Sequence, residues 1–376
     1  MHFACTQENL LQGLSLVSHI SGKNANLPIL GNVLLKTDAG GLKLSTTNLE
    51  MAVSAQVRGR VEAQGEYTVP AKLLQDYISL LPAGKVELVL VGDVLEVRAD
   101  GSSTTVKGMP SSEFPLIPKL TKEGGYHMKA DVLRNAIGQV AFAVSGSESR
   151  PELSGVACYF HGQKAGNLVM AATDSYRLSE RVLALEASGS KTEATCIVPA
   201  RAMQEVARIL SAYKDDVGMP EQVEWSITES QMVLTYGNVE LISRLIESSF
   251  PDYRQIIPSQ FRTTCIVSRS EIQKAIRAAS LFSRQGLFDI HFEVVPGEGL
   301  RVSSSDTGTG AHKTTLKAEI EGEANKVTLN FRYISDGLSV MGTDQAVIRM
   351  IDAMNPVVVT PKDQEGFRYI VMPIRQ

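Results

Sequence analysis

Two hydrophobic rhythms recur along the chain. Runs with apolar residues at every second position, such as Val86 to Val97 (VELVLVGDVLEV), Gln222 to Tyr236 and Arg368 to Met372, have the period of strands with one buried face. Aliphatic pairs four residues apart, namely Leu10 and Leu14, Leu133 and Ile137, and Ile272 and Ile276, mark the inner stripe of helices. Three further helices are expected at Thr68 to Leu74 (TVPAKLL), Ile197 to Met203 (IVPARAM) and Thr328 to Ile334 (TLNFRYI), where an aliphatic run meets Pro70, Pro199 or Asn330. Proline suits a helix entry because the N–H it lacks would have had no intrahelical partner there.

These landmarks repeat in a fixed order. A cation follows each turn residue by two, and these cations, Lys72, Arg201 and Arg332, stand about 130 residues apart. A polar turn returns at Asn48 (TTNLE), Asp174 (ATDSY) and Asp306 (SSDTG), and Phe114-Pro115 returns as Phe250-Pro251. One match could be chance; several in the same order indicate an internal repeat. The chain of 376 residues therefore divides into three domains, 1–124, 125–260 and 261–376. The borders fall at the linker-like stretches Leu120 to Gly125 and Pro258 to Arg262. Each domain reads helix, strands, helix, strands. That is an α+β class in which two helices cover one face of antiparallel sheets.

Charge changes this picture only through its distribution. A net charge of −4 and a pI near 6.0 would alone argue against a nucleic-acid partner. The helical stretches, however, hold a surplus of cations, among them Lys72, Arg134, Arg201, Lys274, Arg277 and Arg332, and the acidic surplus lies elsewhere. Such a division draws phosphate to one surface and repels it from the rest. Ordinary solvated helix faces are the bland alternative, but they have no reason to repeat a cation in register. With Lys23, these side chains are the candidate DNA contacts, meeting phosphates without reading bases. Six helices about 10 Å across would enclose a hole of only roughly 9 Å, too narrow for duplex DNA, whereas twelve would leave about 28 Å. A head-to-tail dimer is therefore expected, and its closure would pair edge strands that a single open arc leaves free.

The chemistry of enzymes is not in evidence. Cys5, Cys158, Cys196 and Cys265 show no metal or redox spacing and sit in apolar runs, which reads as buried small residues in a reducing compartment. No G-x-x-x-x-G-K-[ST] or H-E-x-x-H pattern occurs. The run Ser188 to Lys191 (SGSK) fits S-x-x-K by letter but falls in a glycine-serine turn, and DTGTG at Asp306 to Gly310 reads as the third polar turn. Asp174 beside Arg177 could form a catalytic pair, yet a turn salt bridge is the simpler account. Neither metal nor cofactor is expected. No apolar run reaches the roughly 18 residues of a membrane span, and Met1 to Asn9 lacks the layout of a signal peptide, so the cytoplasm is expected.

Five stretches carry a resemblance that covers essentially the whole chain: LPILGN (Leu27 to Asn32), TVPA (Thr68 to Ala71), ATDSYRL (Ala172 to Leu178), FPDYR (Phe250 to Arg254) and the terminal VMPIR (Val371 to Arg375). In these the chain resembles the bacterial sliding clamps, the beta subunits of DNA polymerase III. The resemblance implies the DNA clamp fold, a ring-shaped homodimer on double-stranded DNA, and a processivity factor rather than an enzyme. It also implies loading by an ATP-driven clamp loader, and a pocket that grips short peptides of polymerase subunits and repair proteins. On matching positions, that pocket would use Arg150, Leu153, Thr173, Ser175, Tyr176, Arg177 and Leu178. It would be completed by Pro251, Ile256, Tyr333, Pro356, Val371, Met372, Pro373, Ile374 and Arg375. Dimer contacts would lie near Val106, Leu281 and Phe282. The sequence departs from the family pattern at Pro151-Glu152, Gln255 and Gln376, all toward the rim or end of the pocket. A protein-binding scaffold that never meets DNA is the remaining rival reading.

Overall fold

The structure, a computed structural model, describes residues 1–22, 26–118, 124–147, 149–162, 165–213 and 218–375. The first copy of the repeat runs β1 (His2–Thr6), α1 (Gln7–Val17), β2 (Asn32–Asp38), β3 (Gly41–Thr47), β4 (Met51–Val57), β5 (Arg60–Ala63), β6 (Glu66–Pro70), α2 (Ala71–Leu80), β7 (Lys85–Val91), β8 (Val94–Ala99) and β9 (Ser102–Lys107). The second runs β10 (Tyr126–Lys129), α3 (Ala130–Val140), β11 (Gly155–Phe160), β12 (Asn167–Thr173), β13 (Arg177–Ala184), β14 (Ala194–Pro199), α4 (Ala200–Ala212), β15 (Gln222–Ile227), β16 (Gln231–Tyr236) and β17 (Val239–Arg244). The third runs β18 (Thr263–Ser268), α5 (Arg269–Ser280), β19 (Asp289–Val295), β20 (Gly299–Asp306), β21 (Gly310–Leu316), β22 (Ala318–Gly322), β23 (Asn325–Asn330), α6 (Phe331–Ser339), β24 (Gln345–Met350), β25 (Val357–Pro361) and β26 (Phe367–Val371). Each copy opens with a strand before its first helix, one element more than the alternation of helices and strands suggests.

The local signals act where expected. Helices α2, α4 and α6 start on the residue after Pro70, Pro199 and Asn330, so Lys72, Arg201 and Arg332 are each the second helical residue. The Asn330 side chain accepts from the Arg332 N–H, and Thr6 and Ser268 cap α1 and α5 in the same manner, satisfying N–H groups that the first turn of a helix leaves open. Leu10, Leu14, Leu133, Ile137, Ile272 and Ile276 are all buried. The polar turn is one device used three times: Oδ1 of Asn48, Asp174 and Asp306 each accepts from the backbone N–H groups two and three residues on.

The sheets follow one rule. In every copy the opening strand pairs antiparallel with the first strand after the second helix, giving β1 with β7, β10 with β15 and β18 with β24. The strands between the helices form a second ladder, β4-β3-β2-β6, β13-β12-β11-β14 and β21-β20-β19-β23. The last strand of one copy then joins the middle ladder of the copy before it, β17 on β4 and β26 on β13. Two ladders therefore fuse into sheets of eight and nine strands. By the same rule β9 lacks a partner ladder and β21 lacks a closing strand, and both stand at sheet edges.

Compactness follows the fused sheets and not the sequence repeat. One compact unit comprises 1–131, 186–190 and 205–245, and the other 132–185, 191–204 and 246–376, so the second copy is divided between them. In the first unit α1 packs on α2 and on β4 over Phe3, Leu10, Leu14 and Leu44, all fully buried. In the second, α5 and α6 cover a core that includes Ile272, Ile276, Phe292 and Tyr369.

All four cysteines are reduced and buried in strands, as read from the sequence. Burial pushes the thiols of Cys5 and Cys265 up to about 12, which keeps them protonated near neutrality. Cys158 and Cys196 face one another across β11 and β14, a proximity their sequence spacing conceals. SGSK lies in a turn, closed by a bond from the Gly189 N–H to the Glu186 carbonyl. Among the described residues no helix is long and apolar enough to cross a membrane.

Candidate functional site

Within the second unit, the turn between β12 and β13, the loop Arg150–Leu153, the segment Pro251–Ile256 and the end of β26 enclose a cavity of about 240 Å³. Of the expected residues, Arg150, Leu153, Thr173, Ser175, Arg177, Leu178, Pro251, Ile256 and Met372 line it. Asp252, Tyr253 and Ile370 line it as well and were not expected. Leu153, Leu178, Tyr253 and Ile370 are buried and make an apolar floor, while Arg150 and Ser175 are exposed at the mouth. An apolar recess with a few fixed polar groups at its rim suits large aliphatic or aromatic side chains carried on a short peptide.

Three details show how the rim is built. Ser175 has a left-handed backbone (φ 78°), matched by Leu49 (φ 77°) in the first copy, so the turn geometry belongs to the repeat and not to the cavity alone. The Pro151-Glu152 departure supplies an anchor: Glu152 accepts from Arg150 Nε at 3.0 Å, and Arg150 Nη1 donates to Ser175 Oγ at 3.0 Å. Gln255 likewise donates to Asp252, whose other oxygen accepts from Arg254, and those bonds hold the Asp252 carboxyl below the usual carboxylate range.

Arg177 is the most constrained polar group here. Its Nε donates to Asp174 Oδ2 at 2.9 Å, Nη1 to Asp336 Oδ2, and Nη2 to the Phe142 carbonyl at 3.1 Å. The guanidinium also lies 5.3 Å from the Phe142 ring centre and 4.8 Å from that of Tyr333. Burial opposes its charge, but Tyr369, Asp336 and Asp174 more than offset that and hold its pKa above the ordinary value. Both oxygens of Asp174 are engaged, one by the turn's N–H groups and one by Arg177, which matches the turn salt bridge read from the sequence.

The other expected pocket residues do not line the cavity. Tyr176 is exposed and stacks on Tyr333 of α6, with centroids 6.3 Å apart. Val371 is buried and pairs with Arg177 in the β13–β26 ladder, and Pro356 is half-buried just before β25. After β26, Pro373 and Ile374 are half-buried, the Ile374 N–H donates to the Thr328 carbonyl at 2.8 Å, and Arg375 is exposed. Gln376 lies outside the described residues.

Of the candidate DNA contacts, Lys72, Arg201, Lys274, Arg277 and Arg332 are exposed and Arg134 is half-buried; Lys23 lies outside the described residues. None of the six described cations is ion-paired with another described residue, in contrast to Arg177, Arg208, Arg284 and Arg301, which are held by carboxylates. Arg332 rests on the Phe288 ring, its guanidinium carbon 3.6 Å from the ring centre.

The expected dimer contacts lie on or beside the two free sheet edges, β9 and β21. Val106 is only 4 % exposed, packed into its own sheet, so what β9 can offer a partner is backbone rather than that side chain. Leu281 is 73 % exposed, and Phe282 stacks on His312 of β21, so both stand beside the second free edge. Sequence reading missed a further apolar stripe on α2: Leu73 and Leu80 are exposed with Tyr77 between them. The residues at the same repeat positions on α4, Ala202, Val206 and Ile209, are fully buried. Apolar residues on two faces of one helix were the available signal.

Comparison with known proteins gives a consistent family. Models of the DNA polymerase III beta subunit match in chain order: the N-terminal domain over residues 1–118, the central domain over 127–252 and the C-terminal domain over 254–375. The beta sliding clamp of Synechococcus elongatus is 31 % identical over 381 aligned positions, covering 100 % of this chain and 99 % of the relative. Among solved structures, the sliding clamp of Bacillus subtilis matches with TM-score 0.92 at 25 % identity, over 100 % of this chain and 99 % of the other. The Pseudomonas aeruginosa sliding clamp bound to griselimycin matches with TM-score 0.92 at 26 % identity, with full coverage of both chains.

Proposed function

The chain belongs to the DNA polymerase III beta subunit family, the sliding clamps of DNA replication, and on that basis we propose that two copies close head to tail around duplex DNA and hold partner proteins by the cavity beside Arg177. A clamp is a processivity factor and not an enzyme.

The strand rule carries the ring. Joining the last strand of one copy to the middle ladder of the preceding copy operates twice within the chain and stops for want of partners at β9 and β21. Antiparallel pairing of β9 from one protomer with β21 of the other extends the rule to its end, and a heterologous contact repeated twice closes a ring. Covering Leu73, Tyr77 and Leu80 of α2 with Leu281 and the exposed Leu287 of the other protomer would bury the same repeat positions that α4 already buries.

Domains 1–124, 125–260 and 261–376 then supply six helices per protomer. Lys23, Lys72, Arg134, Arg201, Lys274, Arg277 and Arg332 would face the enclosed phosphates, and since they read no bases the ring slides. An ATP-driven loader would open it in the cytoplasm. Polymerase subunits, the loader and repair proteins would compete for the cavity through short peptides.

Griselimycin, the ligand of the Pseudomonas clamp, is a ready probe of that cavity. It is expected to bind this protein, and Ile256→Lys, which places an ammonium at a 40 % exposed edge of an apolar recess, is expected to weaken it by roughly 30-fold or more. Isothermal titration checks this; equal affinity in the variant would move the binding site elsewhere.

A further inference from the structure

We infer that Asp336 is a positioning residue for the cavity, holding the Arg177 side chain from α6, the helix whose exposed side carries Arg332. The inference rests on the cavity reading above. Two carboxylates share the guanidinium, but they are not equivalent. Asp174 belongs to the same turn as Arg177, so its 2.9 Å bond to Nε travels with the turn. Asp336 comes from another element, 159 residues along the chain, and ties the cavity wall to α6.

The surroundings make that tie directional. The Arg177 guanidinium lies against the rings of Phe142 and Tyr333, and Tyr333 is fixed in turn by Tyr369, whose hydroxyl donates to the Tyr333 carbonyl at 2.8 Å. Gly337, next to Asp336, lets the Tyr369 ring approach so closely that an added Cβ would stand 2.2 Å from it. Asp336 is therefore seated beside a close helix-to-ring contact, although half its own side chain is exposed.

The repeat supports a role for an acid at this place. Glu205 stands four residues after Arg201 as Asp336 stands four after Arg332. Glu205 is likewise an anchor, buried at 3 % and accepting from Arg208 and from His19 Nδ1 at 2.7 Å. The same helix position thus serves a structural anchor in one copy and the cavity's arginine in the next.

Griselimycin affinity of the full-length protein tests this with Asp336→Asn, Arg177→Gln and the double variant, folding being checked by thermal unfolding. The single change at Asp336 is expected to weaken binding by about tenfold, with no further loss when added to Arg177→Gln, because both act through one group. Asp336→Glu, which keeps a carboxylate on the same helix face, is expected to regain most of the affinity. Wild-type affinity in Asp336→Asn, or losses that multiply in the double variant, would overturn the inference. Failure of the wild-type protein to bind griselimycin would overturn the cavity reading and this inference with it.

Discussion

A protein with Lys72, Arg201 and Arg332 all changed to glutamine should hold duplex DNA about 10²- to 10³-fold more weakly at moderate salt, with the slope of log Kobs against log salt flatter by roughly 5. Each phosphate contact releases about 0.9 of a counterion, and three cations per protomer make six contacts in a ring. These side chains are exposed and not ion-paired with any described residue, so their charge is available to an external anion, and their loss breaks no ion pair among the described residues. Lys72 adjoins Leu73 of the proposed joint, but none of the three supplies backbone to the β9–β21 pairing, so the dimer mass, read by light scattering, should be unchanged. Binding titrations across a salt series decide it: an unaltered slope would place these residues away from the DNA.

The second large effect concerns assembly. Ala99 and Ser102 close a two-residue turn at Asp100-Gly101, where Gly101 adopts φ 71°. Antiparallel N–H groups alternate in direction, so those of Ser103, Thr105 and Lys107 point away from β8 toward the open edge. Thr105→Pro removes one of these outward donors and places a ring in the line of pairing, while leaving the β8–β9 ladder its own bonds. Light scattering should fall from about 81 kDa, twice the chain mass, to 40.7 kDa with the fold intact. A variant that stays near the dimer mass would show that β9 is not the joining edge.

The sequence disclosed the repeat and hid the joins between its copies. Helix starts at Ala71, Ala200 and Phe331 and the three polar turns are local events, written in the few residues that perform them. Alternation in β17 or β26 says which face is buried but not which strand lies alongside, and β4 and β13 are far away in the chain. For the same reason dimer contacts could be expected near Val106 without the inward aspect of its side chain being evident. The cavity was legible in the stretches ATDSYRL and FPDYR that carry the family resemblance, including the turn that bears Arg177. Asp336 and Phe142 were not, because a guanidinium's partners are chosen by packing across more than a hundred residues and leave no spacing to read.

Enclosure, as distinct from affinity, is the central claim, and a topological measurement addresses it directly. The protein is loaded onto a nicked circular plasmid by clamp loader and ATP, the complex is isolated at elevated salt, and one half is cut once with a restriction enzyme. The ring should stay on the circle and run off the linear molecule. Equal retention on both forms, or equal loss from both, would mean that DNA does not pass through it.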